Sequence, residues 1–248
     1  MKRAAWNRFS GTREQYRAGI EQLSGRLPEL QALQQRLVNN RSPSYKIETP
    51  VVYNSALDDI SPASDIKLIL VADNPGRREQ AAENRRYLIG PSGKIAEKFF
   101  RDNPVLGIGF RENAIILNKT PIHTPRTIEL KELSRLGGAG LKKVLDESQL
   151  MMARLLLEFH SALSRSGIIL PVWITGYSEM GKNGVFETYA NELKVIYRKT
   201  NLKENIFLFR HFSMNQFTID LKKQTIPGET IPAALERIGT VYRKRFLW

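Results

Sequence analysis

Four short runs of the chain are apolar without alternating: residues 67–72 (KLILVA), 113–118 (NAIILN), 168–176 (IILPVWITG) and 206–209 (IFLF). A strand covered on one face alternates apolar and polar side chains; one buried on both faces of a parallel sheet does not, so these runs predict parallel strands. Between them the apolar positions return at helical spacing. Residues 12–37 carry Tyr16, Ile20, Leu23, Leu27, Leu30, Leu33 and Leu37, with Pro28 dividing two helical pieces. Residues 92–100, 129–136, 145–159, 185–197 and 232–246 also read as helices, and the hydroxyl of Ser92 is expected to cap the first of these. Strands separated by helices predict an α/β fold: a three-layer sandwich around a central, four-stranded, mostly parallel sheet. The whole chain, residues 1–248, reads as one domain, with residues 1–60 as a helical N-terminal extension packed on it. Residues 39–65 are rich in Ser, Pro and Asn and form a long loop, with a possible short strand at Val51, Val52 and Tyr53.

Each apolar run stops at a polar turn: ADNPG, LNKTP, TGYS and RHFSMN. In a parallel sheet the carboxyl ends of the strands share one edge, where open α/β sheets bind ligands, so Asn74, Asn118 and His211 are expected to converge there. The competing reading of each amide is local, because an Asn before a turn often bonds its own backbone. Of the other histidines, His160 falls in the apolar pattern of a long helix and reads as structural, while His123 lies in the proline-bounded loop KTPIHTPRT.

Charge changes the picture more than composition does. The 38 Lys and Arg outnumber the 25 Asp and Glu, a net +13 that favours a polyanionic partner, nucleic acid before a membrane surface. Arg77, Arg78, Arg85 and Arg86 cluster around Tyr87, an arrangement suited to gripping phosphates while an aromatic stacks on a base. The absence of cysteine excludes disulfides, thiolate zinc sites and cysteine-held iron–sulfur clusters. No histidine has a second ligand at metal-binding spacing, so neither metal nor cofactor is expected. Residues 90–94 (GPSGK) fail as a nucleotide-phosphate loop: Leu88 stands where its first glycine belongs and Ile95 where its Ser or Thr would bind magnesium. With no apolar run near the ~18 residues of a membrane span and no signal-peptide core, a cytoplasmic protein is expected.

Taken together, these turns resemble the motifs of the uracil-DNA glycosylase superfamily. Ala72-Asp73-Asn74-Pro75-Gly76 is similar to the first motif of its mismatch-specific and single-strand-selective branches, G-x-N-P-G. Arg86 to Gly93 resembles the P-F-V-G-x-x-G of the cluster-containing branches, Ile116-Leu117-Asn118 the strand end that recognises uracil, and His211-Phe212-Ser213 the late H-P-S motif. Ala72 and Phe212 depart from the pattern, and Leu88 falls where an aromatic usually stacks on the base, with Tyr87 one place earlier. The resemblance implies a monofunctional glycosylase, a monomer acting on DNA that carries uracil or another deaminated base. In it, Asn74 would orient the attacking water and His211 would donate to the base O2, assisted by the backbone N–H of Asp73. Asn118 would read the base edge, with Tyr87 or Leu88 against its ring. Gly76, where the most uracil-exclusive branch carries a tyrosine, would leave room for 5-substituents. Arg77, Arg78, Ser92 and Ser213 would hold phosphates and Met214 would fill the vacated stack. Asp73 is not expected to replace Asn74, since neighbours at a strand end point to opposite faces. The alternative is a nucleic-acid-binding protein of this fold without glycosylase activity.

Overall fold

The computed structural model describes residues 1–26, 28–164 and 169–248. Leu27 of the first helical pattern and Ile168 at the start of the third apolar run lie outside them. The four strands are β1 (Leu68–Ala72), β2 (Ala114–Asn118), β3 (Val172–Thr175) and β4 (Ile206–Phe209). They form one sheet in the order β2-β1-β3-β4, every pair parallel, with Ala72 opposite Asn118 and Thr175 opposite Phe209. β1 and β3 are buried at every position, as their unbroken apolar runs require.

Helices cover both faces. On one side α1 (Arg3–Arg26), α4 (Glu129–Leu136) and α6 (Glu187–Ile196) pack on α5 (Gly138–Leu163), and α2 (Leu30–Asn39) packs on α4. On the other lie α3 (Pro91–Asp102), α7 (Gln216–Gln224) and α8 (Ile231–Phe246). There Phe100 stacks on Trp173 of β3, with ring centroids 5.4 Å apart, and α8 lies against β4.

Three local expectations are corrected. Val51 forms only an isolated antiparallel bridge with Ile122, and no strand runs through 51–53. Ser92 does not cap α3. Gly90 holds that position and Pro91, whose missing N–H costs nothing in a first turn, opens the helix. Helix α7 follows the last turn, where the sequence pattern shows none, because only Phe217 and Leu221 of its residues are buried. Among the described residues no helix is long and apolar enough to cross a membrane.

Candidate functional site

From β1 the chain reaches β2 through α3 on one face, then crosses back over β1 to β3 through α5 on the other. The direction of winding therefore reverses between β1 and β3, and outside their carboxyl ends opens a cleft of about 1470 Å³. Its wall carries Asp73, Asn74, Gly76, Arg77 and Arg78 after β1, Leu88 and Ser92 at the entry to α3, Thr124 and Thr127 after β2, Gly176 after β3, and His211, Ser213 and Met214 after β4.

Asn74 is fixed at both ends of its amide. Nδ2 donates to the Thr124 hydroxyl (2.9 Å) and carbonyl (3.2 Å), and Oδ1 accepts from the Thr127 hydroxyl (3.1 Å). That hydroxyl is also 3.1 Å from Asp73 Oδ2, so the expectation that Asp73 points away from Asn74 is wrong. Both residues follow the last ladder position of β1, Ala72, and the alternation of a strand no longer governs them. The other oxygen of Asp73, Oδ1, takes the ammonium group of the fully buried Lys119. Gly176, at φ 77°, makes room for this carboxylate, since a Cβ there would stand 2.5 Å from Asp73 Oδ1.

The three histidines separate by their hydrogen bonds. His123 joins the Pro75 carbonyl through Nδ1 and the Tyr45 hydroxyl through Nε2; His160 joins the Tyr197 hydroxyl and the Leu170 carbonyl. Both have both ring nitrogens engaged, and burial holds both near pKa 4, so they are neutral structural groups. His211 uses only Nδ1, which accepts the backbone N–H of Ser213 at 3.1 Å. A ring nitrogen that accepts cannot carry the proton, so the neutral imidazole carries it on Nε2 and has a donor free for the cleft. Burial, the largest effect, lowers the His211 pKa; the Asp73 carboxylate raises it and the Lys119 ammonium lowers it again.

The mouth of the cleft is strained. Leu88 (φ 52°), Met214 (φ 52°) and Asn215 (φ 56°) are left-handed without being glycine, and Met214 is 75% exposed. The turn at Leu88 is locked by Arg111, which donates to the Leu88 carbonyl at 2.6 Å. It is locked also by Gly93, where a Cβ would collide with that carbonyl at 1.5 Å. Beside it Glu79, 6% exposed, accepts the Gly76 N–H at 2.9 Å and faces the N–H groups of Leu88, Ile89 and Gly90. Burial outweighs these donors and raises its pKa to about 7.

Two expected site residues lie elsewhere. Tyr87 is buried away from the cleft, its hydroxyl 2.6 Å from both the Val52 carbonyl and the Tyr16 hydroxyl, because the left-handed turn directs Leu88 to the cleft and Tyr87 to the core. Asn118 ends β2, on the far side of β1 from the switch point, and does not line the cleft. Its amide is buried beside Ala72, which does, and Nδ2 has no hydrogen-bond partner among the described residues. So Asn74 and His211 line one cleft, and Asn118 stands one strand away.

Sequence reading missed Lys119, Glu79, Thr124, Thr127 and Tyr45. Tyr45 supplies the aromatic wall that Tyr87 does not: it lines the cleft, is held through His123, and carries the Arg77 guanidinium 4.7 Å from its ring centroid. The one available signal was His123, the histidine of the proline-bounded loop, whose Nε2 meets the Tyr45 hydroxyl. Among the described residues no group of three or more His, Asp or Glu is arranged to hold a metal ion. No protein-family model matches the chain, and no curated protein matches it. Fold and site define a parallel α/β protein with a polar cleft at its topological switch point.

Proposed function

We propose that the protein is a DNA glycosylase that hydrolyses the bond between uracil or another deaminated base and its deoxyribose after the nucleotide has been extruded from the stack. The observation that carries this reading is His211, the one histidine with an unengaged ring nitrogen, whose proton-bearing Nε2 belongs to the same cleft as the fixed amide of Asn74. When C1′–N1 breaks, the electron pair passes into the base and collects at O2, where a positioned neutral donor stabilises it. Water adds to C1′, oriented by a lone pair of Asn74 Oδ1, and its proton leaves with the base or to solvent. An amide is a weak base, so slow turnover is expected. Arg77, Arg78, Ser92 and Ser213 bind phosphates at the mouth, Leu88 and Tyr45 give the base and its neighbours apolar contact, and Met214 enters the gap in the stack. In this reading Asn118, buried one strand away from the cleft, does not contact the base, and the groups that read its edge come from the cleft wall itself.

A second reading, DNA binding without base release, is favoured by one observation: both polar atoms of Asn74 are already engaged by Thr124 and Thr127. Labelled single-stranded and duplex oligonucleotides containing uracil, hypoxanthine or xanthine separate the two. Alkali-labile product that disappears in Asn74→Ala and His211→Ala supports the enzyme; salt-sensitive binding with no product supports the second reading.

A further inference from the structure

Beneath the cleft lies a cation that the proposed reaction leaves unused. Lys119 follows β2 directly and is completely buried in a chain whose other lysines have access to water at the surface or in partly open positions. Its Nζ donates to Asp73 Oδ1 and to the Thr175 carbonyl, each at 2.5 Å, and sits 4.9 Å from the centroid of the Phe186 ring. Its backbone N–H bonds the carbonyls of Ala72 and Asp73. One residue thereby ties together the carboxyl ends of β1, β2 and β3. From Asp73 the connection runs on through the single proton of the Thr127 hydroxyl, which lies 3.1 Å from both Asp73 Oδ2 and Asn74 Oδ1 and is shared between these two acceptors.

An ammonium group taken out of water is costly, and apolar residues of the same volume commonly do as well for stability alone. The location indicates what else it does. The charged groups facing His211 are Asp73 and Lys119, which act on it in opposite directions; Arg210, next to it in the chain, is paired with Asp220 instead. Lys119 itself also faces Glu179.

We propose that Lys119 is a positioning residue of the cleft: it holds the Asp73 carboxylate from below, through Thr127 sets the direction of the Asn74 amide, and offsets the charge of Asp73 at His211. The part concerning Asn74 rests on the glycosylase reading; the part concerning charge at His211 does not.

The test joins an NMR titration of the imidazoles, with His211 assigned from a His211→Asn variant, to steady-state excision. In Lys119→Met the His211 midpoint rises, by about tenfold in proton affinity for one unopposed neighbouring carboxylate. In Lys119→Met combined with Asp73→Asn it returns toward the wild-type value. Thr127→Val leaves the ion pair intact and does not threaten the fold. It shifts the Asn74 side-chain amide resonance and lowers kcat about tenfold at unchanged KM, for a displaced catalytic group. A folded Lys119→Met protein with an unmoved His211 midpoint overturns the proposal, as does a Thr127→Val protein with an unmoved Asn74 resonance. If the wild-type protein releases no base, the glycosylase reading fails while the His211 midpoint still decides the role of Lys119 in the charge at that imidazole.

Discussion

Under the cleft, Asp73, Lys119 and Thr124 are buried and, with Thr127, joined to one another or to Asn74 by hydrogen bonds of 2.5–3.1 Å. At its mouth, Arg77, Arg78 and Met214 stand exposed. The floor is cross-braced by groups distant in sequence, the suitable construction for atoms that must hold a reacting centre to a fraction of an ångström. The rim carries exposed positive charge, which suffices for a polyanion recognised through its phosphates. Substitutions in the two regions should therefore fail differently, the floor through rate and stability, the rim through salt-dependent binding.

The largest effect is expected at the pair of cleft groups themselves. His211→Ala should lower kcat by roughly 10²–10³, the usual consequence of removing one donor to a developing anion, with little change in melting temperature. Asn74→Ala should act similarly; a loss confined to KM in either variant would erase the distinction between floor and rim. Next, Lys119→Ala leaves the Asp73 carboxylate without its buried counter-charge and should cost ~3–5 kcal/mol in denaturant unfolding, against under ~0.5 kcal/mol for Arg78→Ala.

Acid should loosen the structural histidines before the floor. His123 and His160 have folded pKa values of about 4, below the ordinary 6.5, so the folded state resists their protonation. Their contribution is complete above pH 6.5 and is lost as pH falls toward 4, by roughly 3 kcal/mol for each group. Glu79, raised to about 7, has the opposite sign: its penalty is absent below its ordinary 4.5 and grows as pH rises through 7. Melting curves of His160→Gln and Glu79→Gln should flatten the acid and neutral slopes respectively. At the rim, Arg77→Ala and Arg78→Ala should each reduce the slope of log K against log salt by about 0.7 in single-strand binding, uniformly across sequences. The smallest change is one of selectivity. A Cβ at Gly76 would meet nothing within 4 Å, so Gly76→Tyr should fold normally and discriminate against 5-substituted uracils relative to uracil.

How far each region is legible in the sequence follows from the range of its interactions. The strands are legible because burial on both faces writes itself into consecutive residues, and the turns after them because Pro75 and Gly76 break a ladder wherever they occur. Tyr87 misleads because its neighbours, Arg85 and Arg86, suggest exposure, while the left-handed residues on either side of it, Arg85 and Leu88, reverse which side chain reaches the cleft. Lys119 is invisible for a different reason. A lysine in a proline loop reads as solvated, and its partners, Asp73 and Thr175, are 46 and 56 residues away. Asn118 is misplaced by one strand because strand order is not written in any local pattern, and β1, not β2, borders the switch point.

The central claim is that a base enters the cleft and leaves without its sugar, and the most direct measurement is mass spectrometry of free base released from uracil-containing DNA with protein in excess. Release of one uracil per lesion, with an intact sugar–phosphate backbone and none released by His211→Ala, is the expected result. DNA bound to saturation with every base still attached would contradict it.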